Sequence, residues 1–201
     1  MNYYVEYWDC GNEERNKEVI DCINKNIKLN IFKNIFIFSK TKENRLQLPV
    51  INCERVTYQF IFDNCIDGVN IFANSDMEFD ETINLANNIK SDEFYALTRY
   101  EDNMLLHKHD DPYKGYDSQD VWIWRDSCKI KNANFFLGLP GCDNKIAFIA
   151  ESYGYNVKNP SKSIKTYHRH KTNIRDGTSA DLSKRLPPPY KLVPIESILN
   201  D

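Results

Sequence analysis

The stretch Val69–Asp80, VNIFANSDMEFD, begins with a short apolar run of β-prone residues and then turns abruptly polar. A run this short that follows a turn signal, here Gly68, is typical of a buried strand. In an open α/β sheet, ligands bind just beyond the carboxyl ends of the strands. Asn74, Ser75 and Asp76 are expected at such an end, where an amide and a carboxylate can hold a divalent cation and a phosphate-bearing ligand. The alternative is an ordinary turn after a strand.

The segments before this stretch alternate between strand and helix patterns. Asn2–Trp8 and Ile31–Ser39 have the β-branched and aromatic bias of strands, and between them Asn12 can cap a helix that continues to about residue 26. This order predicts a parallel α/β sheet with right-handed crossovers. The run Val56–Asp63 fits either a strand or a helix, and the helix is favoured because it completes a second strand–helix–strand unit.

The alternation continues towards the C-terminus. Predicted helices cover Asp80–Lys90 and Asp143–Tyr153, the second capped by an acid, and predicted strands cover Glu93–Tyr100, Val121–Trp124 and Tyr155–Asn159. The sequence therefore predicts one α/β domain over residues 1–180, with a central, mostly parallel mixed sheet flanked by helices. Residues 181–201 form a proline-containing tail that either packs on this domain or links it to a further domain.

Composition argues against several classes of protein. Of the 201 residues, 41% are hydrophobic and 13% aromatic, which is enough for a packed core. A net charge of -3 argues against a nucleic-acid binder, which normally has a strongly basic face. The chain shows neither a signal peptide nor an apolar segment of membrane-spanning length. Its six cysteines lack CxxC spacing, so reduced thiols are expected in a cytoplasmic protein, or in the host cytoplasm if the protein is viral.

Known catalytic motifs are also missing from the sequence. The first predicted strand is followed by DCGNEER, which lacks the glycine-rich phosphate loop of a dehydrogenase or a P-loop NTPase. There is no HExxH motif of the zinc hydrolases. Besides Asn74, Ser75 and Asp76, three groups of residues are candidates for the chemistry.

The first group is YDSQDVWIW, Tyr116–Trp124. A partly buried Asp120 at the mouth of an aromatic pocket suits the recognition of sugar hydroxyls, with the ring of Trp122 stacking on the sugar. The alternative is that the acids cap a turn while the tryptophans fill the core.

The second group is LGLPGCDN, Leu137–Asn144. Gly141 allows the backbone to approach a ligand closely, and Asp143 lies at a predicted helix N-terminus. That position ordinarily lowers the pKa of a carboxyl group. Asp143 can therefore act as a general base only in a partly desolvated setting or beside an anion, and simple helix capping is the alternative.

The third group is YHRHK, Tyr167–Lys171. In an extended segment His168 and His170 point to the same face, where two imidazoles can join a carboxylate on a metal. The alternatives are solvated histidines, or basic residues that neutralise a diphosphate. The other two histidines, His107 and His109, lie in a long polar loop and are expected to be solvated.

Together these residues resemble the small glycosyltransferase domains of the GT-A fold found in bacteria and large viruses. The likeness covers most of the chain, and its most specific parts are IFANSDMEFD, ALTRYE, SQDVWIW and LGLPGCDNKIAFIAESYGYNVKNPSKSIKTYHRH. It implies a nucleotide-sugar donor, UDP- or GDP-linked, and a divalent cation, Mn²⁺ or Mg²⁺. It also implies transfer of the sugar, with inversion, to a hydroxyl of a glycan or glycoprotein acceptor.

The resemblance also implies roles for particular residues. Asn74-Ser75-Asp76 takes the place of the family's Asp-x-Asp motif and departs from it at the first position. Asp76 would then be a metal ligand, with His168 or His170 as a further ligand and Asp143 as the base. Contacts with the donor are expected from Arg55 and Arg99, and contacts with its nucleotide base from Tyr7, Trp8 and Asp9. A sugar nucleotidyltransferase and a catalytically silent sugar- or nucleotide-binding module remain as alternatives.

Overall fold

The predicted alternation of strands and helices is present in the structure, a computed structural model that describes residues 1–40, 49–102, 104–108, 110–112, 114–172 and 182–198. The strands are β1 (Asn2–Tyr7), β2 (Asn34–Ser39), β3 (Val50–Asn52), β4 (Val69–Ala73), β5 (Met77–Phe79), β6 (Glu93–Leu97), β7 (Val121–Arg125), β8 (Asn156–Lys158) and β9 (Thr166–His168). The α-helices are α1 (Glu13–Lys28), α2 (Tyr58–Asn64) and α3 (Cys142–Ser152), and 3₁₀ helices cover Glu81–Asn88 and Leu182–Lys184.

Seven of these strands form one mixed sheet in the order β3-β2-β1-β4-β7-β6-β8. β7 runs antiparallel to its neighbours β4 and β6, whereas every other neighbouring pair is parallel. The predicted fold class, an α/β domain with a mostly parallel mixed sheet flanked by helices, is therefore confirmed. β5 and β9 form a separate antiparallel ribbon, which the sequence pattern did not reveal.

The sheet has a topological switch point between β1 and β4. β2 and β3 lie on one side of β1, whereas β4 and the later strands lie on the other. Such a divergence opens a crevice beyond the carboxyl ends of the strands. Val121, at the start of the antiparallel β7, lies opposite both Ala73 at the end of β4 and Leu97 at the end of β6. Residues that follow β1, β4 and β6 therefore meet residues that precede β7.

Two helices begin close to where the sequence predicts. Asn12 caps α1 by accepting a hydrogen bond from the backbone N–H of Arg15, as expected of an N-cap asparagine. α2 confirms the helical interpretation of Val56–Asp63, because Thr57 caps it by accepting from the N–H of Phe60.

The other two predicted helices differ in detail. Gly141, in the left-handed region at φ 80°, occupies the N-cap of α3, and Asp143 lies inside the first turn rather than at the cap. The predicted capping by Asp143 is therefore wrong, and its carboxylate is available for other contacts. The segment predicted as a helix over Asp80–Lys90 is a 3₁₀ helix at Glu81–Asn88, capped by Asp80.

The core lies in two layers, one on each face of the sheet, because successive residues of a strand point to opposite faces. One layer packs Tyr4, Phe72 and Trp122 against α2 and α3. The other packs Tyr3 and Ile71 against α1 and the 3₁₀ helix at 81–88. Burial on both faces explains why the central strands of this sheet are mostly apolar and do not alternate between apolar and polar residues.

Trp122 belongs to this core and does not face a ligand. Its side chain is fully buried, and its ring meets the ring of Tyr58 edge-on at a centroid distance of 5.0 Å. This position contradicts the predicted stacking of Trp122 on a sugar. The sequence could not place Trp122 correctly, because VWIW is apolar at every position and its pattern does not show which residue faces a cleft.

We expect Trp122→Ala to lower the free energy of unfolding by about 3–5 kcal/mol, because truncation of a buried aromatic leaves a cavity. Urea denaturation measures the change. Trp8→Ala is the matched control, because Trp8 is 38% exposed and surface changes usually cost less than about 0.5 kcal/mol. Equal losses in the two variants would contradict the assignment of Trp122 to the core.

The described part of the tail, residues 182–198, packs back on the domain. Val193 is buried, and its backbone N–H donates to the carbonyl of Tyr116. The side chain of Asn159 donates to the carbonyl of Val193 at 3.2 Å and to the hydroxyl of Thr98 at 2.9 Å. The tail is thereby tied to the end of β6. The predicted domain boundary at residue 180 lies outside the described residues.

Within the described residues, no helix is both long enough and apolar enough to cross a membrane.

Candidate active-site cleft and metal centre

A cleft with a cavity volume of about 220 Å³ opens at the switch point of the sheet. This is much more space than a single metal ion and its water ligands need. Nine of the residues predicted to form a site line it: Trp8, Arg55, Asn74, Ser75, Asp76, Arg99, Asp120, His168 and His170. Most of these residues come together because they lie at strand ends: after β1, β4 and β6, before β7, or at the end of β9 and just beyond it. Arg55 is the exception, because it precedes α2.

Asp76, His168 and His170 form a group that could hold a metal ion, as the sequence predicts. Oδ2 of Asp76 lies 3.2 Å from Nε2 of His168 and 3.7 Å from Nδ1 of His170. One carboxylate and two imidazoles form a donor set that suits divalent first-row metals. The residues present therefore fit a metal ion chemically.

The backbone of the β5–β9 ribbon sets the position of these ligands. Asp76 immediately precedes β5, His168 ends β9, and Met77 pairs with His168 in the antiparallel ladder. The N–H of Arg169 also donates to the carbonyl of Asp76 at 2.9 Å. The two ligand segments are therefore held side by side by main-chain hydrogen bonds.

Arg15 shares the carboxylate of Asp76 with the two histidines. Its Nη2 donates to Oδ2 at 2.5 Å. Burial acts to raise the pKa of Asp76, but the hydrogen bonds and charges of His168 and Arg15 outweigh burial and hold this pKa well below its ordinary value. Asp76 is therefore an anion in the folded protein at neutral pH.

Two more arginine–carboxylate pairs line the cleft. Arg99 Nη1 lies 2.8 Å from Oδ2 of Asp120, and Arg55 Nε lies 3.5 Å from Oε2 of Glu6. Guanidinium groups recognise phosphate by two parallel hydrogen bonds. With Arg15, three guanidinium groups thus face the cleft in partly desolvated positions.

Asn74, the departure from an Asp-x-Asp motif, has a structural explanation. Its backbone N–H donates to the carbonyl of Asp120, and its side-chain Nδ2 donates to Oδ1 of Asp120 at 2.8 Å. An aspartate at position 74 would place a second carboxylate against Asp120, and two like charges in contact are unfavourable. The amide instead fixes Asp120 at the mouth of the cleft.

Asp143 lies next to this group but does not line the cleft. Its Oδ1 accepts from the thiol of Cys142 at 3.0 Å, and its Oδ2 accepts from the N–H of Gln119 at 3.4 Å. Burial, followed by the negative charge of Asp120, raises the pKa of Asp143 to about 7. The desolvated setting that a base needs at a helix N-terminus is therefore present.

Three other predicted residues do not line the cleft. Tyr7 is buried in the core, and Asp9 accepts from the N–H of Gly11 and from Asn16, which fixes the turn before α1. Gly141 is covered by the ring of Tyr190, which a Cβ there would meet at 3.3 Å. Their predicted ligand contacts therefore stay predictions, although Trp8 from the same turn as Tyr7 and Asp9 does line the cleft.

Sequence reasoning missed Glu6, Arg15 and Gly138, which line the cleft. Gly138, rather than Gly141, is the glycine that lines the cleft and lets a ligand approach the backbone closely. Arg15 could have been suspected, because the first turn of the helix after β1 points towards the carboxyl edge of the sheet. Glu6 carried no such signal, since it lies within a strand.

Glu101 was also missed and connects several polar side chains at the edge of the cleft. Its Oε1 accepts from Nε of Arg99 and from His107, and its Oε2 lies 3.5 Å from Nδ1 of His168. His107 is thus a partner of Glu101 and is not solvated as predicted, whereas His109 lies outside the described residues. Since Nδ1 of His168 faces Glu101, its Nε2 is the nitrogen placed to bind a metal.

We expect Glu101→Gln to weaken Mn²⁺ binding by about tenfold to a hundredfold, the usual effect of removing a carboxylate that orients a histidine ligand. Electron paramagnetic resonance of free Mn²⁺ measures the affinity. Glu54→Gln is the matched control, because Glu54 is exposed and pairs only with Lys40 in the described contacts. Unchanged Mn²⁺ affinity in a folded Glu101→Gln variant would contradict this role.

Comparison with known proteins does not identify a family. No protein-family model and no curated protein matches the chain. Among solved structures, the protein Aq1419 from Aquifex aeolicus VF5 is similar over 62% of this chain and 69% of its own, with 16% identity and a TM-score of 0.40. A likeness at this level carries no functional information, so function must be inferred from the cleft.

Proposed function

We propose that the protein is a metal-dependent glycosyltransferase that moves a sugar from a nucleotide-diphosphate sugar to an acceptor hydroxyl. One observation carries the proposal. A carboxylate–bis-imidazole group and three arginines converge on one cleft at the switch point of an α/β sheet. Of the two cations that the resemblance implies, a carboxylate with two imidazoles suits Mn²⁺ better than Mg²⁺, which prefers oxygen ligands, and arginines suit a diphosphate.

The two ends of the cleft suit the two ends of such a donor. Trp8, which follows β1 and is 38% exposed, offers a ring face for the nucleotide base of a UDP- or GDP-linked sugar. Asp120, held by Asn74 and Arg99, offers a carboxylate to the sugar hydroxyls. The diphosphate then lies between them, beside Asp76.

The proposed reaction uses these groups together with Asp143, which lies next to the cleft without lining it and must become accessible to the acceptor hydroxyl. Asp76, His168 and His170 would hold the cation, whose positive charge stabilises the leaving diphosphate. The acceptor hydroxyl loses its proton to the carboxylate of Asp143, and its oxygen forms a bond with the anomeric carbon of the sugar. The bond from that carbon to the phosphate oxygen breaks, and the nucleoside diphosphate leaves with the electron pair. Attack from the side opposite the leaving group inverts the anomeric configuration.

Thermal denaturation with a panel of ligands tests the proposal. We expect UDP or GDP to raise the midpoint when Mn²⁺ is present, and less so with EDTA, because ligands that bind only the folded state stabilise it by mass action. The matching nucleotide sugars should then release nucleoside diphosphate in a transfer assay with glycan acceptors. The proposal fails if none of these nucleotides shifts the midpoint at millimolar concentration.

A further inference from the structure

Arg15 occupies the place on Asp76 that a metal ion would need. Its Nη2 hydrogen-bonds Oδ2 of Asp76 at 2.5 Å, and this is the oxygen nearest to the ring nitrogens of His168 and His170. The Arg15 side chain is only 12% exposed, so water screens its charge weakly. A divalent cation bound by the same oxygen would repel the guanidinium strongly.

The other end of the guanidinium has partners that do not depend on Asp76. Nη1 of Arg15 donates to Oε2 of Glu18 at 3.0 Å and lies 3.4 Å from the carbonyl of Arg169. Glu18 is itself fixed by the N–H groups of Lys171 and Thr172 and by the hydroxyl of Thr172. Arg15 can therefore release Asp76 while its Nη1 remains held at the edge of the cleft.

We propose that metal binding transfers Arg15 from Asp76 to the diphosphate of the donor, so that Arg15 is a phosphate ligand of the metal-bound protein. This inference rests on the proposed function. It assigns a contact with the donor to Arg15, which was not among the site residues predicted from the sequence. Nη2, once released, points into a cleft that it already lines, and a planar guanidinium suits phosphate oxygens. Metal and diphosphate then bind cooperatively, since each stabilises the arrangement in which Arg15 has left Asp76.

Arg55 and Arg99 have other described partners. Arg99 is paired with Asp120 and Glu101, and Arg55 lies 3.5 Å from Glu6 and donates to the carbonyl of Leu137 at 2.6 Å. Arg15, by contrast, is hydrogen-bonded directly to Asp76. The exchange is therefore assigned to Arg15.

Arg15→Met tests the inference, because it removes the charge and keeps much of the length of the side chain. Mn²⁺ affinity is measured on the protein alone by electron paramagnetic resonance, and UDP and GDP affinity by calorimetry at saturating Mn²⁺. We expect Arg15→Met to bind Mn²⁺ at least about fivefold more tightly than the unaltered protein, and the nucleoside diphosphate at least about fivefold more weakly, which are modest values for coupled sites. Lys17→Met, on the same helix with a 74% exposed side chain, is the charge-matched control and should change neither affinity.

The opposite directions of the two effects separate this role from a structural one. If Arg15 only braced the site, both affinities would fall together or neither would change, and either result would overturn the inference while leaving the proposed function intact. Tighter Mn²⁺ binding with unchanged nucleotide binding would overturn the role in phosphate binding. If the unaltered protein binds neither Mn²⁺ nor a nucleoside diphosphate, the proposed function and this inference both fail.

Discussion

Under the proposed function, Asp76→Asn is expected to reduce sugar transfer by about a hundredfold to a thousandfold, because the several kcal/mol that a bound metal ion would contribute to the departure of a charged leaving group would be lost. The amide keeps an oxygen that can accept from Arg15, so the fold should survive, as circular dichroism can verify. The same variant should lose the part of the thermal shift with UDP or GDP that depends on Mn²⁺. Initial rates over a Mn²⁺ titration measure both the loss of activity and the loss of metal dependence.

Asp102→Asn is the control for this variant. Asp102 is an exposed acid close to the ribbon that pairs with Arg169 at 2.7 Å, and its loss removes the same charge without touching a metal-binding side chain. Transfer by Asp102→Asn should stay within about threefold of the unaltered protein, as for most surface changes. If Asp76→Asn kept full, Mn²⁺-dependent transfer, the metal centre would lie elsewhere.

The second large effect concerns Asp143, whose pKa is raised to about 7 by burial and by the charge of Asp120. A general base works only when it is deprotonated, so transfer should reach a plateau above pH 7 and fall by about tenfold per pH unit below it. Asp143→Asn should lower kcat by about a hundredfold to ten-thousandfold, the usual contribution of a positioned base. It should also abolish the pH dependence below 7 while leaving donor affinity intact.

Glu151→Gln, in the same helix, is the matched control, because Glu151 is exposed and pairs with Lys191. Its pH profile should coincide with that of the unaltered protein. In the proposed donor complex, the diphosphate would add negative charge on the side of the cleft next to Asp143, and a nearby negative charge raises the pKa of a carboxyl group. The midpoint of the kcat profile should therefore lie at or above that of the kcat/KM profile. An unchanged profile in Asp143→Asn would assign the proton transfer to another group.

Those parts of the fold that depend on local signals were predicted from the sequence. Asn12 marks the start of α1 through its side chain, and the change from apolar to polar after Ala73 marks the end of β4. The resemblance to GT-A domains, and not a local signal, was the reason for assigning residues as distant as Trp8 and Arg99 to one donor site, and both line the cleft.

Contacts between distant segments were not predictable in this way. The pair Arg15–Asp76 joins residues 61 positions apart, and nothing near either residue signals the other. The position of Trp122 was not predictable for a different reason. A strand that is buried on both faces does not alternate between apolar and polar residues, so its sequence does not show which side chains face the core and which face a cleft. At Asp143 the residue could be chosen from the sequence, but its raised pKa depends on burial and on Asp120, which only the tertiary structure brings together.

The β5–β9 ribbon constrains how the gene for this protein can change. Asp76 and His168 are brought together by backbone pairing, so a single-codon insertion or deletion in β9 would shift the register by one residue. Such a shift turns every side chain of a strand to its opposite face and would direct Tyr167 or Arg169 to the position of His168. Substitutions of outward-facing residues leave the pairing intact. Natural variation in this segment should therefore consist of substitutions at constant length.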